Sequence, residues 1–96
     1  MDRNFTVLKI DHVAIAVKSN ESETALFKLL GMSVDLPESV DTEKVNVVKV
    51  KTQNRSHTIE LLEASDESSV VKKFIDRKGQ GLHHIALEVD NIEEAI

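Results

Sequence analysis

Ninety-six residues without a cysteine suit one small domain and exclude disulfides and thiolate metal sites. The 41% apolar fraction can make a core, though a chain this short buries only about two-thirds of its unfolded surface. A formal charge of −5, with three Phe as the only aromatic residues, argues against a nucleic-acid partner, which calls for basic patches and stacking platforms.

Met1-Asp2-Arg3-Asn4 is a polar lead-in. Val7 to Val17 alternates and is rich in β-branched residues, which predicts a strand. Val13, Ile15 and Val17 share its oily face, suited to packing on helices. His12, Ala14 and Ala16 share the other face, which is small and suits a cavity lining. Asn20 with Glu23 reads as a capping box for a helix whose buried stripe is Ala25, Leu26, Leu29 and Leu30, stopped by Gly31. Met32 to Leu36 is a short strand, and Pro37 to Lys44 is an acidic loop.

Val45 to Val50 and His57 to Leu62 read as two further strands around the turn Gln53-Asn54-Arg55-Ser56. In the second, Glu60 and Leu62 lie on one face and Ile59 and Leu61 on the other. Asp66 is placed to cap a helix from about Glu67 to Lys78, with Val70, Val71, Phe74 and Ile75 inward, and Gly79-Gln80-Gly81 breaks it. Leu82 to Val89 is a strand, and residues 90–96 read as a cap and the first turn of another helix. No apolar run reaches the length of a membrane span or a signal-peptide core, so a cytoplasmic protein without a membrane partner is expected.

The last strand repeats the first. Asp11-His12-Val13-Ala14-Ile15-Ala16-Val17 returns as His83-His84-Ile85-Ala86-Leu87-Glu88-Val89, an offset of 84 − 12 = 72 residues. That spacing suits a duplicated βαβββ unit rather than a solenoid repeat. The expected architecture is α+β, with residues 1–81 as a first βαβββ module with its linking helix and 82–96 as the opening of a second. A second module that stops after one strand would expose a strand edge and an apolar face, as in an incomplete version of a longer protein, and would drive homodimer formation.

His12, Glu60 and His84 stand in phase on three strands, each opposite an oily face. Two imidazoles and a carboxylate suit a divalent ion of borderline hardness, with open positions for water or substrate. His83 is expected to point away from His84 by alternation, in a structural or supporting role. Glu88 shares the face of His84 and Ala86 and is a weaker candidate for a substrate contact. His57 lies at a turn, and Glu63, opposite Glu60 in phase, has no assigned role. The lysines at 44, 49 and 51 and at 72, 73 and 78 are solvated faces or, in a sharper reading, contacts to an anionic ligand such as a nucleotide-bearing thioester.

Three stretches resemble the vicinal-oxygen-chelate, or glyoxalase, superfamily. They are Ile10 to Val17, Ile59-Glu60-Leu61-Leu62-Glu63, and Gly81 to Asp90. Glu60 to Ala64, the helix from Asp66 to Ile75 and the Gly79-Gln80-Gly81-Leu82-His83-His84-Ile85 strand resemble the methylmalonyl-CoA epimerases in particular. The resemblance implies a curved mixed sheet of vicinal-oxygen-chelate type and a divalent cofactor (Co2+, Zn2+, Mn2+ or Ni2+) held by His12, Glu60 and His84. A fourth ligand, a glutamate beyond Ile96 that is also a base, is implied as well. The implied reaction is epimerisation of methylmalonyl-CoA, an acyl-CoA, by 1,1-proton transfer through a metal-stabilised enolate. No catalytic base is assigned, since the third strand offers Asn46 and lysines where the family has placed a carboxylate. A lactoylglutathione lyase-like enzyme and a non-enzymatic ligand-binding module of the same fold are the rival readings.

Overall fold

The structure, a computed structural model, describes residues 4–95. Met1-Asp2-Arg3 of the expected lead-in and Ile96 of the expected final helix lie outside the described residues. The elements run β1 (Val7–Ala16), α1 (Asn20–Leu29), β2 (Ser33–Val34), β3 (Glu38–Val40), β4 (Val45–Lys51), β5 (Thr58–Ala64), α2 (Val70–Lys78), β6 (Gly81–Val89) and α3 (Ile92–Ala95). The fold is α+β. One mixed sheet has the order β2-β4-β5-β1-β6, with β3 paired to β4. β5 returns parallel to β1 because α1 and the β2–β4 meander lie between them, whereas β6 runs antiparallel along the other side of β1.

Period-2 alternation sends the side chains of the central strands into two cores. On one face Val17, Val48, Val50 and Leu61 are buried with Phe27 of α1, Met32 and Ile59 around them. On the other, Ala14, Ala16, Val45, Val47 and Leu62 pack under Val71, Phe74 and Ile75 of α2. Both faces therefore carry a helix, and the small-residue face is not simply a cavity lining. Ala14 and Ala16 are fully buried because their missing side-chain bulk lets α2 approach the sheet.

Several local expectations are corrected. The stripe Ala25, Leu26, Leu29 and Leu30 faces solvent, with Leu29 84% exposed. α1 instead turns Asn20 and Phe27 to the sheet. Asn20 is buried because its Nδ2 donates to the Asn46 carbonyl at 3.0 Å and its backbone N–H donates to Glu63 Oε1 at 2.6 Å. Glu63 thus has a role, placing a carboxylate at the positive end of α1. The N-cap is Ser19, whose hydroxyl accepts from Ser22 N–H, not Asn20.

α2 likewise begins at Val70 behind Ser69, whose hydroxyl accepts from Val71 N–H, and Val70 is exposed. Asp66 spends its carboxylate on Ser68 in the preceding turn, so the helix cannot start at Glu67. The acidic loop contains β3, paired with β4 through Glu38, Ser39 and Val40, and the hairpin closes at Lys44 with φ 55°. Gly31, at φ 81°, follows α1 as expected. No helix among the described residues is long and apolar enough to cross a membrane.

Candidate metal centre

β5, β1 and β6 are neighbours, so the sheet register decides which side chains meet. Ala14 is the pivot, lying opposite Glu60 on one side and opposite His84 on the other. His12, two residues before Ala14, shares its face and falls diagonally beside both. The two imidazoles meet with Nε2 to Nε2 at 3.4 Å and ring centroids 5.5 Å apart. Glu60 Oε2 lies 3.6 Å from His12 Nδ1, and its strand neighbour on β4 is Lys49. The structure therefore brings His12, Glu60 and His84 together, with Glu60 approaching the opposite ring nitrogen from His84.

That last detail limits the fit. Among the described residues no three His, Asp or Glu side chains are already gathered round one point as a metal set. The histidine pair does fit. Two nitrogens bound at about 2.0–2.1 Å to one tetrahedral ion stand about 3.3–3.4 Å apart, the spacing seen between His12 and His84. Glu60 stands on the Nδ1 side of His12 instead.

Three irregularities in the β1–β6 ladder break the simple alternation, one between Val7 and Lys9 and two at the site. The register runs Ile10↔Leu87 to His12↔Ala86, leaving Asp11 as an extra residue on β1. It then runs Ala14↔His84 to Ile15↔Leu82, leaving His83 as an extra residue on β6. Such bulges re-aim side chains. His83 accordingly does not point away from His84. Its Nδ1 lies 2.8 Å from His84 Nδ1, and its ring packs edge-on against Phe74 of α2 at 5.0 Å. Burial, with a smaller effect of His84, holds the His83 imidazole below its ordinary range. Asp11 is turned beside His12, with Oδ2 2.9 Å from Nδ1, and this hydrogen bond is the main cause holding its carboxyl below the usual carboxylate range. The sequence reading gave Asp11 no role. Period-2 reasoning cannot show a bulge, although the matched positions of Asp11 and His83 in the repeat were the available signal.

The centre lies between two recesses. A polar one of about 150 Å3 joins His12 and Glu60 to Lys9, Lys49, Lys51 and Arg55. Lys51 and Arg55 also pair with Asp35 at 3.2 and 3.6 Å, and Lys51 is the main cause of the lowered Asp35 carboxyl. The other, about 280 Å3, lies under α2 between His83, His84, Glu60 and the apolar Val47, Leu62 and Val71. Glu88 is exposed, opposite Lys9 in the register, and lines neither recess. His57 is exposed at the turn before β5. A recess of about 580 Å3 beside Val17, Ser65 and Asp76 is larger, but none of the three candidate ligands lines it.

Residues 11–96 match the glyoxalase/bleomycin resistance protein/dioxygenase superfamily. The chain belongs to that superfamily. It is 36% identical over 89 residues to an uncharacterised protein, YqjC, of Bacillus subtilis, covering 92% of this chain and 62% of that protein. It is 37% identical over 90 residues to the mitochondrial methylmalonyl-CoA epimerase of Homo sapiens, covering 92% of this chain and 50% of that enzyme. The crystal structure of methylmalonyl-CoA epimerase from Mycobacterium tuberculosis superimposes with a TM-score of 0.84 at 29% identity, over 97% of this chain and 63% of that one. The chain thus spans between half and five-eighths of the length of these relatives. The sheet of this superfamily member is the glyoxalase-like sheet of its epimerase neighbours.

Proposed function

We propose that this superfamily member serves the epimerisation of methylmalonyl-CoA with a divalent ion held by His12 and His84 and completed by Glu60. The observation that carries the reading is the pair of imidazole Nε2 atoms, 3.4 Å apart, drawn from equivalent positions of two repeated strands. The likeness to the epimerases supports the substrate class. A divalent ion, when bound, supplies Lewis-acid stabilisation of the negative charge that develops on the thioester oxygen as the α-proton leaves.

The chain's own residues do the rest. His12 and His84 offer donor nitrogens from adjacent strands, β1 inside the sheet and β6 at its edge. Lys9, Lys49, Lys51 and Arg55 make the mouth beside His12 cationic, which favours a substrate carrying a carboxylate and phosphates. The apolar recess under α2 excludes water on the other side and suits the methyl group and the thioester carbon chain. No carboxylate of β4 faces the site, where Lys49 stands opposite Glu60. A positioned base contributes about 10²–10⁴-fold, so the 96-residue chain is expected to work slowly.

The test is α-proton exchange of methylmalonyl-CoA in deuterated buffer, followed by mass spectrometry. Slow exchange that disappears with a chelator and in His12→Ala or His84→Ala is expected. Exchange that persists undiminished in the chelated protein contradicts the reading.

A further inference from the structure

Two of the three bulges put the residue before each histidine into the site, at matched positions of the repeat. Asp11 lies at the Nδ1 of His12, and His83 lies at the Nδ1 of His84. A carboxylate only accepts hydrogen bonds, so the Asp11 contact places a proton on His12 Nδ1 and leaves the lone pair on Nε2. That lone pair faces His84 Nε2. In the metal-free protein the contact is made when His84 carries its proton on Nε2 and donates to His12. His84 Nδ1 is then the acceptor of a proton from His83 Nδ1. The four side chains form one directed chain, His83 to His84 to His12 to Asp11. An ion shared by both Nε2 atoms would need His84 in its other tautomer, with the proton on Nδ1. His83 can accommodate that change, because a neutral imidazole nitrogen either donates or accepts.

We infer that Asp11 and His83 are the positioning residues of this centre. Asp11 holds His12 with its lone pair on Nε2, and His83 Nδ1 accepts a hydrogen bond from the Nδ1–H of His84 whenever His84 turns its Nε2 lone pair to an ion. This rests on the proposed His12–His84 ion site. The partners that metal-bound histidines find through their second nitrogen are usually a carboxylate, a carbonyl or water, and their loss weakens metal binding about 10–100-fold. The repeat sets the two partners at matched positions, where the aspartate admits one tautomer of its neighbour and the histidine admits both.

The experiment is long-range 1H–15N NMR of the histidines in the metal-free and Zn2+-loaded 96-residue protein, with zinc affinity by calorimetry. Without zinc, His12 is expected as the Nδ1–H form and His84 as the Nε2–H form, and zinc moves His84 to Nδ1–H. Because Glu60 Oε2 lies 3.6 Å from the same nitrogen, the tautomer test is made in a Glu60→Leu background, where Asp11→Ala should give a mixture of tautomers at His12 and Asp11→Asn, which retains an acceptor, should restore the single form. Asp11→Ala and His83→Ala should each weaken zinc binding about 10–100-fold. His12 held as Nε2–H in the unchanged protein, or zinc affinity unaltered in both variants, overturns the inference. If His83→Ala fails to fold, the exposed Asp11 position still decides the matter. If the unchanged protein binds no zinc, the ion-site reading fails, and the effect of Asp11→Ala on the His12 tautomer still tests the Asp11 contact by itself.

Discussion

β1 and β6 carry nearly the same sequence and have opposite surroundings. In β1, Ala14 and Ala16 are wholly enclosed between strands and α2. In β6, at the sheet edge, Leu82, Ile85 and Leu87 are each more than half exposed. Position 16 and its equivalent, 88, differ most, a buried Ala against an exposed Glu. An alternating pattern therefore specifies which side chains share a face, but the neighbours decide what that face costs to change. The two proposed ion ligands, His12 and His84, sit where the two sequences agree.

Exchanging the two environments should break this contrast most clearly. Ala16→Glu puts an unpaired carboxylate beneath α2, with an expected loss of about 3 kcal/mol or more, close to the whole stability of a small domain. Glu88→Ala should change stability by no more than about 0.5 kcal/mol. Urea unfolding measures both, and comparable losses would show that the strands are equally enclosed. A milder form compares Ile15 with its repeat partner Leu87. Ile15 packs beside Val17 and Leu61, so Ile15→Ala should cost about 2 kcal/mol. Leu87→Ala should cost less than about 1 kcal/mol.

The smallest effect is in the pH dependence. The His83 imidazole is held below its unfolded value of about 6.5, chiefly by burial, so the unfolded chain binds the proton more readily. Its contribution is fully present above that value and is lost as the pH falls through it toward the folded value. Asp11, the matching residue of β1, is lowered from the carboxylate range, so its contribution is lost only in more acidic solution. Stability of the metal-free protein should decline between pH 7 and 5, and His83→Gln should flatten that decline. An identical slope in the variant would assign it elsewhere.

Most strands and the shared face of His12, Glu60 and His84 are legible because alternation fixes a face and the repeat fixes an axis. In α1 the leucine-rich arc looks inward on hydrophobicity alone, whereas the face that is less exposed, Asn20, Glu23, Thr24 and Phe27, has Phe27 as its single apolar residue. The inward arc is chosen by the hydrogen bonds of Asn20 to Asn46 and Glu63, which are remote in sequence. β3 is hidden because it is three residues long and only Val40 favours a strand, and pairing with β4 makes it. The inward turn of His83 could not be read from alternation because it is the consequence of a bulge, set by how β6 aligns on β1.

The most direct measurement is a titration of the 96-residue protein with Co2+, following the NMR signals of His12 and His84, with the backbone amides of Ser33 and Val34 in β2, three strands away from β1, as the internal control. The expected result is strong paramagnetic broadening of His12 and His84 within the first equivalent while the β2 amides stay sharp. Broadening of the β2 amides to the same extent, or His12 and His84 left sharp at one equivalent, would contradict a shared ion at this pair.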